Sequence, residues 1–100
     1  DVVNTLTQGG EVWQEAYARL KPMSRYLHVK DAVREQGAVK DAVHYRLMFE
    51  GDLPMREVLS YLQAQSGDTI VSFEWEKLWH PELAEGEKAF ADFVAKLRTL

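Results

Sequence analysis

Cysteine is absent from the 100 residues, and that single absence removes disulfides, thiolate nucleophiles and cysteine-ligated zinc. Basic charge is scarce as well. Twelve Lys and Arg stand against sixteen Asp and Glu, a formal net charge of −4 with a pI near 5.3. A protein that holds nucleic acid by bulk electrostatics needs the opposite balance, so nucleic acid is not an expected partner. No apolar run approaches the roughly 20 residues of a membrane helix, and no signal-peptide pattern opens the chain. These absences fit a cytoplasmic protein with no membrane partner. There is also no low-complexity segment. The opening lacks a Met: "DVVNTL" starts on Asp1, and a start inside a larger protein is the expectation.

What remains is an ordinary globular mixture, 46% hydrophobic and 28% charged, of a length that suits one small domain with a modest core. "GGEVWQEAYARLKP" reads as a helix. Gly9 and Gly10 interrupt what precedes it, Trp13, Ala16, Tyr17 and Leu20 form one apolar stripe, and Pro22 stops it. "SRYLHVKD" reads as a strand, with Leu27 and Val29 on one face and Tyr26, His28 and Lys30 on the other. Residues 32–53 fit a hairpin or an irregular excursion, closed by the turn signal "EGDLP". Asp52 is placed to cap the next helix and Pro54 to sit in its first turn. Met55, Val58, Leu59 and Leu62 are that helix's stripe, and "SGDT" ends it. "TIVSFEWE" is the second strand, with Val71, Phe73 and Trp75 on one face and Ile70, Ser72, Glu74 and Glu76 on the other. "HPELAEGEKAFADFVAKLRTL" is the last helix. Pro81 lies near its start, and Phe90, Phe93, Val94 and Leu97 are its stripe. Strands alternating with helices predict an α/β fold with parallel pairing.

The two strands share a pattern. Each turns an apolar face to helices and carries a potential metal ligand on the other face, His28 in one and Glu74 in the other. Both lie toward the carboxyl end of their strand, the end at which parallel barrels build their chemistry. Imidazole with carboxylate suits Mn²⁺, Zn²⁺ or Co²⁺, and Mg²⁺ where more oxygen ligands join. Each residue also has a plainer reading. His28 alone suits a structural role, and Glu74 alone suits an ion pair with a lysine such as Lys30 on the neighbouring strand. His44 reads as half-exposed, and His80 as a helix cap or a contributor through the last loop. Glu76 and Lys77 either line a site or face solvent, and Trp79 reads as a packing residue.

"HVKDAVR", then "GDLP", then "VSFEWEKLWHPEL" resemble the carboxyl-terminal part of the sugar phosphate isomerase/epimerase family, the xylose isomerase-like TIM barrels. "DVVN" resembles that family's segment after the sixth strand. The resemblance spans nearly the whole chain and is poorest at 35–50. It implies the C-terminal part of a (β/α)8 barrel, about βα units 6–8, with 1–100 as a single partial domain running from the end of strand 6 to helix 8. A whole barrel has about 250 residues, so the chain is expected to be a fragment. The family's metal site uses Glu, Asp, His and Glu. Here Asp1, His28 and Glu74 match the last three as ligands of Mn, Mg, Co or Zn, and the first Glu has no counterpart. Arg34 matches a substrate-facing Arg. Asp31 is assigned to substrate binding, directly or by holding the loop.

The implied reaction is isomerisation or epimerisation of a small-molecule sugar or sugar phosphate through an enediolate, with Glu74 as catalytic acid/base and ligand. The isolated chain is expected to be inactive. It is also expected to associate with itself or with the missing part of the barrel, because a cut barrel exposes sheet edges. Two other readings stay open: an apurinic endonuclease-like or dehydratase member of the same superfamily, and a non-catalytic, self-associating barrel fragment.

Overall fold

The computed structural model describes residues 1–35, 42–65 and 69–100. Two expectations fall partly outside them: residues 36–41 of the excursion, and 66–68 of the "SGDT" stop. Asp1 caps a short helix α1 (Val2–Asn4), accepting from the N–H groups of Val3 and Asn4. A π-helical turn carries α1 on to Gly9, and Gly10 ends it in the left-handed conformation. Helix α2 (Trp13–Leu20) follows, then a 3₁₀ turn with Pro22 in its first positions. Strand β1 (Tyr26–Val29) leads almost directly into β2 (Asp31–Arg34), which returns as β3 (Val43–Arg46). Helix α3 (Met55–Ala64), strand β4 (Ile70–Phe73) and helix α4 (Gly86–Leu97) complete the order.

The fold is a small mixed α/β unit. β1 and β4 pair in parallel, with Val29 opposite Phe73. β2 and β3 pair antiparallel, with Asp31 opposite Arg46. The parallel pair was expected from the strand–helix alternation. The excursion is resolved in favour of the hairpin. Among the described residues the strands form two separate two-stranded sheets.

The apolar face of the parallel pair makes the core. Val29 and Phe73 are buried there with Met48, Met55, Val58, Leu59, Ala89 and Phe93. Phe73 stacks on Phe93 at 4.6 Å and meets Phe90 edge-on at 5.3 Å. Such aromatic pairs add about 0.5–1.5 kcal/mol beyond burial. From the other end, Trp13 and Ala16 of α2 enter the core, and Tyr61 of α3 receives Trp13 and Tyr17 edge-on.

The helix stripes are narrower than their periodicity suggests. Leu20 is 51% exposed, Phe90 48% and Val94 46%, because each lies at the margin of its helix's buried face. Two helix starts also differ from expectation. Asp52 does not cap α3; its carboxylate accepts from the N–H of Arg34, and Pro54 stands at the cap position. Pro81 lies in a turn, and α4 begins five residues later, at Gly86. Lys77 Nζ binds the carbonyls of Pro81 and Leu83, two oxygens that a helix over 81–86 would need for its own ladder.

Tyr26 on β1 is 57% exposed and Ile70 on β4 62%, and among the described residues neither strand has a second pairing partner. Open edges beside bare apolar side chains invite pairing. Size-exclusion chromatography should therefore show a concentration-dependent shift to larger species at micromolar protein. A monomer peak that stays fixed across the whole range would contradict this.

Candidate functional site at the carboxyl ends of two parallel strands

The register of the parallel pair sets the site. His28 lies opposite Ser72 and Val29 opposite Phe73. One further bond, from Glu74 N–H to the Val29 carbonyl at 2.9 Å, carries the ladder past the last assigned residues. Side chains alternate along a strand, so His28 and Lys30 share the face that Glu74 and Glu76 occupy opposite. Asp1 joins them from the start of α1.

At the centre is the ammonium of Lys30. Its Nζ lies 2.8 Å from Glu74 Oε2, 2.8 Å from Glu76 Oε1 and 3.1 Å from Asp1 Oδ2, and its side chain is only 6% exposed. The ring of Tyr45, brought over by the hairpin, covers it at 5.4 Å. His28 stands at the rim with Nδ1 3.6 Å from Glu74 Oε2 and its ring edge-on to Tyr26 at 5.0 Å. Three carboxylates and one ammonium make a group of net negative formal charge.

The protonation equilibria respond to this crowding. Burial pulls the Lys30 ammonium down, but hydrogen bonds to Glu74 and Glu76 outweigh it and hold its pKa above the usual lysine value. The hydrogen bond from Lys30 pulls the Glu74 carboxyl below its usual range, against the opposing effect of burial. Burial pushes the Tyr45 phenol up, helped by the Glu76 and Glu74 anions and opposed by Lys30. Glu74 is thus fixed as an anion, a state suited to ligation or hydroxyl binding. A poised general base sits closer to neutrality.

The structure brings Asp1, Glu74 and Glu76 to the Lys30 ammonium, with His28 beside Glu74. Asp31 and Arg34 have other partners. Asp31 is fully buried. Its two oxygens accept from the N–H groups of Ala32 at 2.8 Å and Gly51 at 3.0 Å. With the carboxylate enclosed by its own loop, Asp31 is a loop anchor, and direct substrate contact is closed to it in this conformation. Burial raises its pKa, and the donated backbone bonds only partly offset that. Arg34 is half-exposed and faces Asp52, with Nε 3.7 Å from Oδ1.

Of the remaining candidates, His44 is exposed beside Glu35 at 3.3 Å. His80 packs its ring on Tyr45 at 5.2 Å. Trp79 is 74% exposed. Glu76 lines the site through its bond to Lys30. Tyr45 was not anticipated, because it lies on the excursion, where no periodicity fixes a face.

The donors suit a divalent cation in kind: the carboxylates of Asp1 and Glu74 and the imidazole of His28. Their placement does not. Among the described residues no three of the His, Asp and Glu side chains gather as a metal-holding group, and the cation at their focus is an ammonium. As arranged, these residues do not form a divalent-metal site. Compared with models of known protein families, with curated proteins and with solved structures, the chain matches none. No helix among the described residues is long and apolar enough to cross a membrane.

Proposed function

We propose that this chain carries part of the catalytic end of a sugar or sugar-phosphate isomerase or epimerase built on parallel βα units, and that Asp1, His28 and Glu74 are its contribution to a divalent-cation site. The observation that carries the reading is that Asp1 and Glu74 share the Lys30 ammonium at the carboxyl ends of the parallel β1–β4 pair, with His28 beside Glu74. Asp1 and Glu74 both reach the same cationic nitrogen, at 3.1 and 2.8 Å, and His28 lies 3.6 Å from Glu74. That end of a parallel sheet is where α/β enzymes place their chemistry. A cluster of anionic oxygens with an imidazole is suited to the hydroxyls of a small sugar.

Within this reading Glu74 accepts a hydrogen bond from a substrate hydroxyl or takes the proton beside a carbonyl. Its proton affinity is lowest while Lys30 is bonded to it. Tyr45 and Glu76 shape the mouth, and Asp31 contributes by holding the 49–53 loop. Arg34 is free to face a substrate's oxygens only after leaving Asp52. The metal would be Mn, Mg, Co or Zn.

The reading is tested by titrating the chain with millimolar Mn²⁺ in a calorimeter, beside the variants His28→Ala and Glu74→Ala. Binding by the native chain that weakens about tenfold or more in each variant is expected, in line with the cost of losing a ligand or its support. No binding by the native chain, or binding that both variants retain, overturns the reading.

A further inference from the structure

The carbonyls of Arg25 and Val29 accept from the N–H groups of Ile70 and Glu74, at 2.8 and 2.9 Å, so these residues turn their main-chain groups to β4. Successive residues of a strand point those groups to opposite edges. Tyr26 and His28 therefore turn theirs the other way, to an edge that has no pairing strand among the described residues. The side chains along it are open to solvent: Tyr26 is 57% exposed and the His28 side chain 37%. Between β1 and helix α2 lies a cavity of about 100 Å³, walled by Trp13, Ala16, Leu20 and Leu27. Small-molecule sites hold roughly 300–1,000 Å³, and a cavity that takes benzene holds roughly 150 Å³. A space of this size suits one aliphatic side chain. Free backbone groups beside an apolar hole are what an added strand fits.

The two ends of β1 differ in charge. Lys21, in the turn before it, and the exposed Arg25 stand at its amino end. Asp1, Glu74 and Glu76 around Lys30 leave a net negative charge at its carboxyl end. A second β1 laid parallel would set like ends together. Laid antiparallel, each cationic end lies beside the anionic end of the other copy. The strands are then about 4.8 Å apart, inside the screening length of about 10 Å at 0.1 M salt.

We infer that this edge is a self-pairing surface: two copies of the chain join antiparallel along β1, about a two-fold axis at Leu27. In this register Tyr26 of each copy faces His28 of the other and exchanges both of its outward groups with it. Leu27 meets its own counterpart as a close, non-hydrogen-bonded pair, on the side of the sheet where each copy has its cavity. The two parallel pairs become one sheet in the order β4–β1–β1–β4. Such an interface is isologous and closes at two chains, whereas head-to-tail pairing of β1 with the free edge of β4 would build rings or open filaments. The pairing is independent of what Asp1, His28 and Glu74 bind.

The chain has no cysteine, so one introduced thiol reports this contact alone. Leu27→Cys puts two thiols on the axis, at the roughly 4.5 Å Cα separation of a non-hydrogen-bonded pair, which a disulfide spans. Tyr26→Cys puts them at diagonal positions about 7–8 Å apart, beyond that reach. With oxidised glutathione, Leu27→Cys should form a linked dimer about tenfold faster than Tyr26→Cys or better. Tyr26→Pro removes only an outward N–H, which an edge strand tolerates. It should keep native circular dichroism and dimerise about tenfold more weakly than the native chain in sedimentation equilibrium. Added NaCl and the surface variant Arg25→Glu should each weaken the native dimer as well.

A native chain that stays monomeric up to submillimolar protein overturns the inference, and so does one that grows past the dimer without stopping. Equal cross-linking of the two cysteine variants overturns it too, as does a folded Tyr26→Pro chain that pairs as tightly as the native one. If Leu27→Cys or Tyr26→Pro does not fold, the native chain in NaCl and Arg25→Glu decide: a dimer that neither of them weakens overturns antiparallel pairing along β1.

Discussion

Gly51→Ala should cost about 3 kcal/mol or more, a large part of the roughly 5–15 kcal/mol that holds a small domain together. A Cβ built on Gly51 would lie 2.5 Å from the Ala32 carbonyl oxygen and 2.6 Å from Asp31 Cγ, and it would overlap Asp31 Oδ1. Glycine is required here because the space is full. The loop carrying Gly51 wraps the buried Asp31 carboxylate, which accepts from the N–H groups of Ala32 and Gly51. A methyl group must push the carboxylate or the strand away. Overpacking alone costs about 1–3 kcal/mol. Each buried N–H left without its acceptor adds about 1–3 kcal/mol where water cannot reach it.

Urea unfolding of the native chain, Gly51→Ala, Asp31→Ala and the double variant would measure this. The double variant should fall well short of the sum of the singles, because both break the same contact. A cost for Gly51→Ala below about 1 kcal/mol would mean that the 49–53 loop does not pack on Asp31 as described.

Lys30→Met, in the absence of any divalent ion, should cost about 2–3 kcal/mol at neutral pH. Removing one partner of a buried ion pair typically costs about 3–5 kcal/mol. The value is lower here because the carboxylates of Asp1, Glu74 and Glu76 are 18%, 34% and 17% exposed and can turn in part toward water. The cost should depend on pH in a defined sense. The folded Glu74 pKa is depressed, so its contribution is complete above the ordinary glutamate value of about 4.3 and is lost as pH falls through the folded value. The folded Lys30 pKa is raised, so its contribution is complete below about 10.4 and is lost as pH rises through the folded value.

The gap between native chain and variant should therefore be widest between about pH 5 and 10, and should shrink toward pH 3. Urea midpoints of both chains at pH 3 and 7 would show it. An equal gap at the two pH values would assign the cost to packing of the lysine stem and would remove the ion pairs from the account.

Much of this arrangement is legible in the residues alone. Alternation along "LHVK" and "VSFEWE" separates Val29 and Phe73, which reach the core, from His28, Lys30, Glu74 and Glu76, which do not. A strand's period of two leaves no other choice once one face is buried. The stripes Met55, Val58, Leu59 and Trp13, Ala16 identify their buried helix faces for the same kind of reason. Parallel pairing of the two strands follows from the helix between them.

Other features were open at the level of sequence because they depend on contacts between distant segments. Asp31, one residue beyond Lys30, is indistinguishable in sequence from a substrate-facing aspartate. Only the return of residues 49–53 encloses it and turns it into an anchor. Asp52 has the position of a helix cap, yet the Arg34 N–H on the hairpin takes its carboxylate. Pro81 suits a helix start, but Lys77 takes the carbonyls a helix would need there. Lys30 shows the division best. Its neighbourhood to Glu74 can be read from the alternation. That Asp1 and Glu76 join it, and that Tyr45 covers it, was decided by the tertiary structure, because only the folded chain excludes enough water to make one ammonium hold three carboxylates.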